Sequence, residues 1–200
     1  MWGQHHNKIH EIHVNRQIFY GNTMSVRQIE IYGSPILRQK AKPVAEFGPE
    51  LKQIIQDMLD TVVVEDGAGL AAPQVGESQR VIVIYLRPED RDPLMIPMVN
   101  PEILENGGES EFEEGCLSVP DIRENVTRPE WIRLRYQDVS GQSQEMRADG
   151  IMARVVQHEV DHLDGVLFVD RIGVARRSLI SGKLKQIAKE HHHDAKPLNS

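Results

Sequence analysis

The stretch QHEVDHLDGVLF, Gln157 to Phe168, places His158 and His162 four residues apart around Glu159. It continues an apolar series, Ile151, Met152, Val155, Val156, Val160 and Leu163, that recurs at helical spacing. Gly165 supplies a natural C-terminal stop. The spacing therefore predicts a helix over DGIMARVVQHEVDHLDG, 149–165. Residues four apart lie one above the other on a single helix face, so the two imidazoles can aim at one point. Glu159 is offset around the helix, where it can reach a water on a bound metal without becoming a ligand.

Two histidines do not complete such a site, which needs three protein ligands and one open position. A glycine three residues past the second histidine also occurs in one large class of metalloproteases, but that class then needs a histidine where this chain has Phe168. Phe168 reads instead as core packing after the helix ends. A carboxylate some twenty residues downstream is a poor alternative, because after Asp170 the next acid is Glu190, close to the end. The remaining soft ligand is Cys116, the only cysteine, which would give a two-histidine, one-thiolate set with water in the fourth position. A lone cysteine is more commonly a small buried apolar residue. The histidine distribution favours the ligand reading: seven of the nine lie near the ends, and the body of the chain holds only His158 and His162.

The rest of the chain sets the frame. Two hundred residues suit one domain with tails. A net charge of -7 with no basic stripe argues against direct nucleic-acid binding. No apolar run approaches the roughly 20 residues of a membrane span, and the N-terminus has no apolar signal core. A single cysteine cannot form an internal disulfide, which suits a reducing cytoplasm. Residues 1–24 read as a polar, His-rich extension that packs poorly, 25–172 as the catalytic domain, and 173–200 as a C-terminal helix and polar tail. PELKQIIQDMLDTVVVEDG, 49–67, has the stripe of a half-buried helix. QRVIVIYL, MVNPEIL, EFEEGCLSV and EWIRLRYQDVSGQSQEMRA read as strands, the last with a turn over 138–141. RRSLISGKLKQIAKE reads as a third, looser helix. Helix, several strands, then helix without βαβ alternation is an α+β order.

Two further segments are unusual. GAGLAAPQVG, 67–76, exposes backbone and a single amide side chain, Gln74; a helix-to-strand turn accounts for its glycines but not for Gln74. EEGCLSVP, 113–120, sets a glycine before Cys116, which lets another backbone approach closely. GAGLAAPQ, EGCLS and QHEVDH, in this order and at these separations, resemble the three signature motifs of peptide deformylases. The resemblance covers about 26–171, and the C-terminal segment, if helical, looks more like the type 1 branch.

The resemblance implies an α+β fold with antiparallel sheets packed around a central helix that carries the His-Glu-x-x-His motif, plus a C-terminal helix. It implies a metal-dependent hydrolase that removes the formyl group from the initiator formyl-methionine of newly made polypeptides. The metal would be one divalent ion, ferrous iron first, with nickel, cobalt or zinc able to substitute. Its ligands would be Cys116, His158 and His162. Water made acidic by the cation would attack the formyl carbon, with Glu159 as general acid and base, and with the Gln74 amide and the Leu117 N–H stabilising the oxyanion. Gly69 and Gly115 fall where the family pairs backbone with the bound peptide. Arg123 falls near the substrate, and Phe112, Ile151 and Val155 line the methionine pocket. Arg154 falls where some members have an aliphatic pocket residue; its stem can line the wall while its guanidinium snorkels outward. The implied partners are formyl-methionyl nascent chains and, transiently, the ribosome, with no membrane and no nucleic acid bound directly. Two other readings compete: an ordinary endoprotease, which would need a ligand other than Cys116, and a non-catalytic module that binds metal or nascent chains, in which Glu159 or Gln74 would be dispensable.

Overall fold

A computed structural model of the chain describes residues 24–90 and 92–194. The extension read over 1–24 lies, Met24 apart, outside the described residues. Among the described residues there are three α-helices, α1 (Pro49–Val64), α2 (Gly150–Leu163) and α3 (Val174–Asp194). The strands are β1 (Gly69–Ala71), β2 (Val81–Leu86), β3 (Leu94–Gly107), β4 (Ser110–Cys116), β5 (Val119–Arg128), β6 (Trp131–Gln137) and β7 (Ser143–Asp149). Five of them form an antiparallel sheet in the order β1-β2-β3-β6-β7, and β4 and β5 form a separate antiparallel hairpin. This is the expected α+β architecture, with antiparallel sheets and a C-terminal helix.

The packing follows from side-chain alternation along the strands. In β2, successive residues point to opposite faces. Ile82 and Ile84 join the core under α2, whereas Val81, Val83 and Tyr85 join the core under α1. The run VIVIY is thus buried on both faces, which is why it shows no polar alternation. In β6, Ile132, Leu134 and Tyr136 point inward, while Arg133 and Arg135 lie on the outer face and pair with Glu105, Glu145 and Glu102. Such exposed pairs contribute little stability.

α2 lies between the two sheets. Ala153, Val156, Val160 and Leu163 pack on the five-stranded sheet. Arg154, His158 and Asp161 make hydrogen bonds to residues of the β4–β5 hairpin. Six polar residues of this helix are buried: Arg154, Gln157, His158, Glu159, Asp161 and His162. Burying that many polar groups is costly unless each finds a partner, so such a helix marks a functional centre. The helix stops at Gly165, whose φ is +74° and where a Cβ would lie 2.8 Å from the Arg38 carbonyl oxygen. α3 covers the far side of the hairpin, setting Leu184 and Ile187 in a core with Val119, Ile122 and Val126. No helix among the described residues is long and apolar enough to cross a membrane.

Candidate active site

EFEEGCLSV is not one strand. The chain leaves β4 at Cys116, turns at Leu117 and Ser118, and returns as β5, with Cys116 paired to Val119. The turn carries Cys116 to the face of α2 where His158 and His162 lie one above the other, their rings edge to face. The Cys116 Sγ lies 3.2 Å from His162 Nε2. The ligand atoms of Cys116, His158 and His162 all fall within 4.8 Å of one another, close to the spread that metal bonds of about 2.0–2.3 Å allow. The structure thus brings together the thiol and two imidazoles that the sequence singled out.

A cation suits this place for four reasons. His158 Nδ1 is engaged by Glu114 Oε2 at 2.9 Å, which fixes the ring and leaves Nε2 for a ligand. Burial lowers the basicity of His158, but hydrogen bonds to Cys116 and Glu114 outweigh it and raise the imidazole well above its usual range; positive charge is favoured between these groups. Burial pushes His162 the other way, well below its usual range, which keeps it neutral as a ligand must be. Two buried polar side-chain atoms lack any partner among the described residues, Glu159 Oε2 and His162 Nδ1, and both belong to this centre.

Glu159 is 4% exposed, and burial pushes its carboxyl up to about 7, with His158 and Arg128 pulling against it. A group poised there can both take and return a proton near neutrality. Gly69 of β1 presses on it: a Cβ at Gly69 would lie 2.7 Å from Glu159 Oε1 and 2.8 Å from Val155 Cγ1. Gln74 is buried in a short 3-10 turn after β1. Its Oε1 accepts from the Ala71 N–H at 2.8 Å, and its Nε2 donates to Ser118 Oγ at 3.1 Å and to Cys116 Sγ at 3.5 Å. The amide is therefore anchored and aimed at the centre.

These groups open onto a cleft of about 730 Å³ between β1 and β4. Gly69, Gly115, Leu117 and Arg123 line it, as do Phe112, Ile151 and Val155. Phe112 and Ile151 are exposed at its mouth. Phe168 is buried as expected, and its ring also stacks on His158 with centroids 6.0 Å apart. The outward course expected for Arg154 is corrected: it is 7% exposed and turns inward to Glu114, Ser110 and Val126. The buried Glu114 carboxylate draws it in, because an unpaired charge there would be costly.

The sequence reading missed Glu114 itself, and with it Arg128 and Asp161. Arg128 spans Glu114 (2.7 and 2.9 Å) and Asp161 (2.8 Å). The available signal was an acid two residues before Cys116 and another three residues after His158, with no sequence rule to pair them across the fold. Burial works against the Glu114 charge, yet hydrogen bonds from His158 and Arg128 win and hold the carboxyl down at about 2. A carboxyl depressed from 4.5 stabilises the fold fully above that value and loses the contribution as pH falls through about 2. The effect is on the order of 3 kcal/mol. Stability measured by urea unfolding is expected to fall between those two values, and Glu114→Gln to flatten that part of the profile. An equal fall in the variant would remove Glu114 from the account.

Comparisons with known proteins give the family. Residues 26–178 match the family model for polypeptide deformylase. A peptide deformylase of Mesorhizobium japonicum is 45% identical over 168 residues, 84% of this chain and 96% of the relative. That of Thermotoga neapolitana is 46% identical over 163 residues, 81% and 96% of the two chains. Among solved structures, a plant peptide deformylase superposes with a TM-score of 0.81 at 33% identity, covering 88% of this chain and 96% of its own. A class I type b peptide deformylase of Acinetobacter baumannii, with Met-Ala-Ser bound, gives 0.71 at 42% identity, covering 75% and 100%. A thiol-and-imidazole cluster at the foot of a cleft, in a chain this similar along most of its length to such enzymes, has one assignment: the chain belongs to the peptide deformylase family, metallohydrolases that remove the N-terminal formyl group from newly made polypeptides.

Proposed function

We propose that the cleft between β1 and β4 is where the formyl group is removed, and that Cys116, His158 and His162 hold the metal. The observation that carries this is the convergence of the three ligand atoms within 4.8 Å beside a carboxyl raised to about 7. Ferrous iron is the ion we assign, since a thiolate suits softer metals than a third imidazole or carboxylate does. A bound divalent cation supplies Lewis acidity and an acidified water at this point. The remaining work falls to the chain. Glu159 takes the proton from the attacking water and returns it to the leaving amine. The Gln74 amide and the Leu117 N–H donate to the oxygen on which charge develops, and removing one such donor typically costs about 3–4 kcal/mol.

The substrate is seated by backbone. Among the described residues β1 ends its sheet and β4 pairs only with β5, so both offer free edges to the cleft. An extended formyl-methionyl peptide can add between them as a strand, with Gly69 and Gly115 admitting its backbone. The Met-Ala-Ser peptide bound by the Acinetobacter relative supports this class of ligand. The methionine side chain would lie against Phe112, Ile151 and Val155, and Arg123 at the rim would meet later residues. Formyl-methionyl substrates support a bacterial-type cytoplasm as the location, with transient contact with the ribosome. Residues 25–172 would form the catalytic domain, with 173–200 as helix and tail.

The test is an anaerobic assay on formyl-Met-Ala-Ser with metal analysis. Formate release with iron, lost on exposure to air as metal and thiolate oxidise, is expected. Cleavage of internal peptide bonds, or equal air-stable activity with every divalent metal, overturns the reading.

A further inference from the structure

Arg154 is the one charged side chain of α2 facing the cleft that the reaction above leaves without a task. It shares a helix face with Ile151, Val155 and His158, three before, one after and four after it in the chain. Its guanidinium is fixed: Nη1 donates to Glu114 Oε1 at 2.6 Å and to the Val126 carbonyl at 3.0 Å. Nη2 donates to the Ser110 carbonyl at 2.8 Å and to Ser110 Oγ at 2.9 Å. These bonds use both hydrogens on each terminal nitrogen and none uses Nε. The Phe112 ring lies beside the same group, its centroid 5.8 Å from the guanidinium carbon. The wall of the side-chain pocket is thus apolar and aromatic, while one boundary is a buried, immobilised cation.

We propose that Arg154 is a specificity-determining residue, which gives the methionine pocket a polar end that reads the side chain's heteroatom and admits formyl-methionine sulfoxide as a substrate. The inference rests on the cleft seating formyl-methionyl peptides. An aliphatic pocket of this size accepts a thioether and a methylene almost equally, because both are apolar. It rejects a sulfoxide, whose strongly accepting oxygen would be buried without a donor. A fixed guanidinium alters both outcomes. Sulfur is a weak acceptor, so its gain over a methylene is small; the sulfoxide oxygen is a strong acceptor and gains most. The reaction is unchanged: water adds to the formyl carbon, the C–N bond breaks, and formate and the free amine leave.

The experiment compares kcat/KM for formyl-Met-Ala-Ser, its norleucine analogue and its methionine sulfoxide analogue, in the iron-loaded wild type and in Arg154→Leu. Ratios within one preparation do not depend on the fraction folded or metallated, so a purely structural role for Arg154 would leave them unmoved. The wild type is expected to hydrolyse the sulfoxide within about tenfold of the thioether, and Arg154→Leu to lower that ratio by about tenfold or more while bringing norleucine level with methionine. Unchanged ratios in the variant overturn the proposal. If Arg154→Leu yields no folded protein, the wild type decides: a sulfoxide penalty below about tenfold supports the proposal and a larger one overturns it. Failure on all three formyl peptides would instead overturn the deformylase reading of the cleft.

Discussion

Glu159→Gln is expected to keep the metal and lose turnover by about three orders of magnitude, within the 10²–10⁴ range typical of general acid–base catalysis. A glutamine amide fills the slot that Gly69 leaves, where Glu159 Oε1 sits so close that a Cβ on residue 69 would lie 2.7 Å away. The ligand atoms belong to other residues, so iron content should match the wild type. What is lost is the ability to exchange a proton. Burial holds the Glu159 carboxyl up at about 7, where it is a competent base and, once protonated, a competent acid. An amide is neither. Both the attack of water and the departure of the amine lose their proton carrier, so kcat falls, with KM for formyl-Met-Ala-Ser nearly unchanged. The pH profile gives a second readout: the wild-type rate declines as acid protonates the base, and the residual rate of the variant lacks that limb. Turnover within about tenfold of wild type at full metal content would remove Glu159 from the chemistry.

The helices and the metal-ligand candidates were legible in the sequence, but much of what supports them was not. α1 and α2 follow local periodicity and stop signals, α3 reads only as a looser helix, and His158 and His162 are related by one helical turn. Cys116 is forty-two residues from His158, yet elimination reached it because no other soft ligand was available. β5 escaped for a physical reason. Asp121 adopts φ +57°, and this break shifts the phase of burial from Val119 to Ile122. Beyond it the inward positions include Val126 and Arg128, and a charged residue in a core position hides the strand. Arg128 is inside because Glu114 and Asp161 meet it there, a long-range fact that no local pattern carries. Arg154 was misjudged on the same grounds. An arginine on a helix ordinarily keeps its charge in water, but here Glu114, Ser110 and Val126 supply acceptors within the fold.

Cys116→Ala is expected to abolish stoichiometric metal binding and, with it, activity. Two imidazoles on one helix leave an ion short of the three protein ligands that a catalytic site requires. The thiolate also contributes the set's only negative charge, as both histidines must be neutral to ligate. Losing a hydrogen-bonded support of a ligand typically costs about 10–100-fold in affinity, and losing the ligand itself should cost more. Structure elsewhere should hold, because Cys116 is only half-buried and the truncation leaves its turn to be fixed by the Gln74 bond to Ser118 Oγ and by the Tyr32 N–H to the Ser118 carbonyl. Anaerobic equilibrium dialysis against iron or nickel, followed by metal analysis, should give one equivalent for the wild type and a small fraction of that for the variant, with circular dichroism unchanged. Cys116→Asp separates charge from softness. It should recover some binding while shifting preference from nickel towards harder ions such as manganese. One equivalent of metal in Cys116→Ala at wild-type affinity would mean that the third ligand lies elsewhere. Glu159, the remaining buried side chain of the centre with an unpartnered oxygen, would then be the residue to test, as a ligand rather than a base.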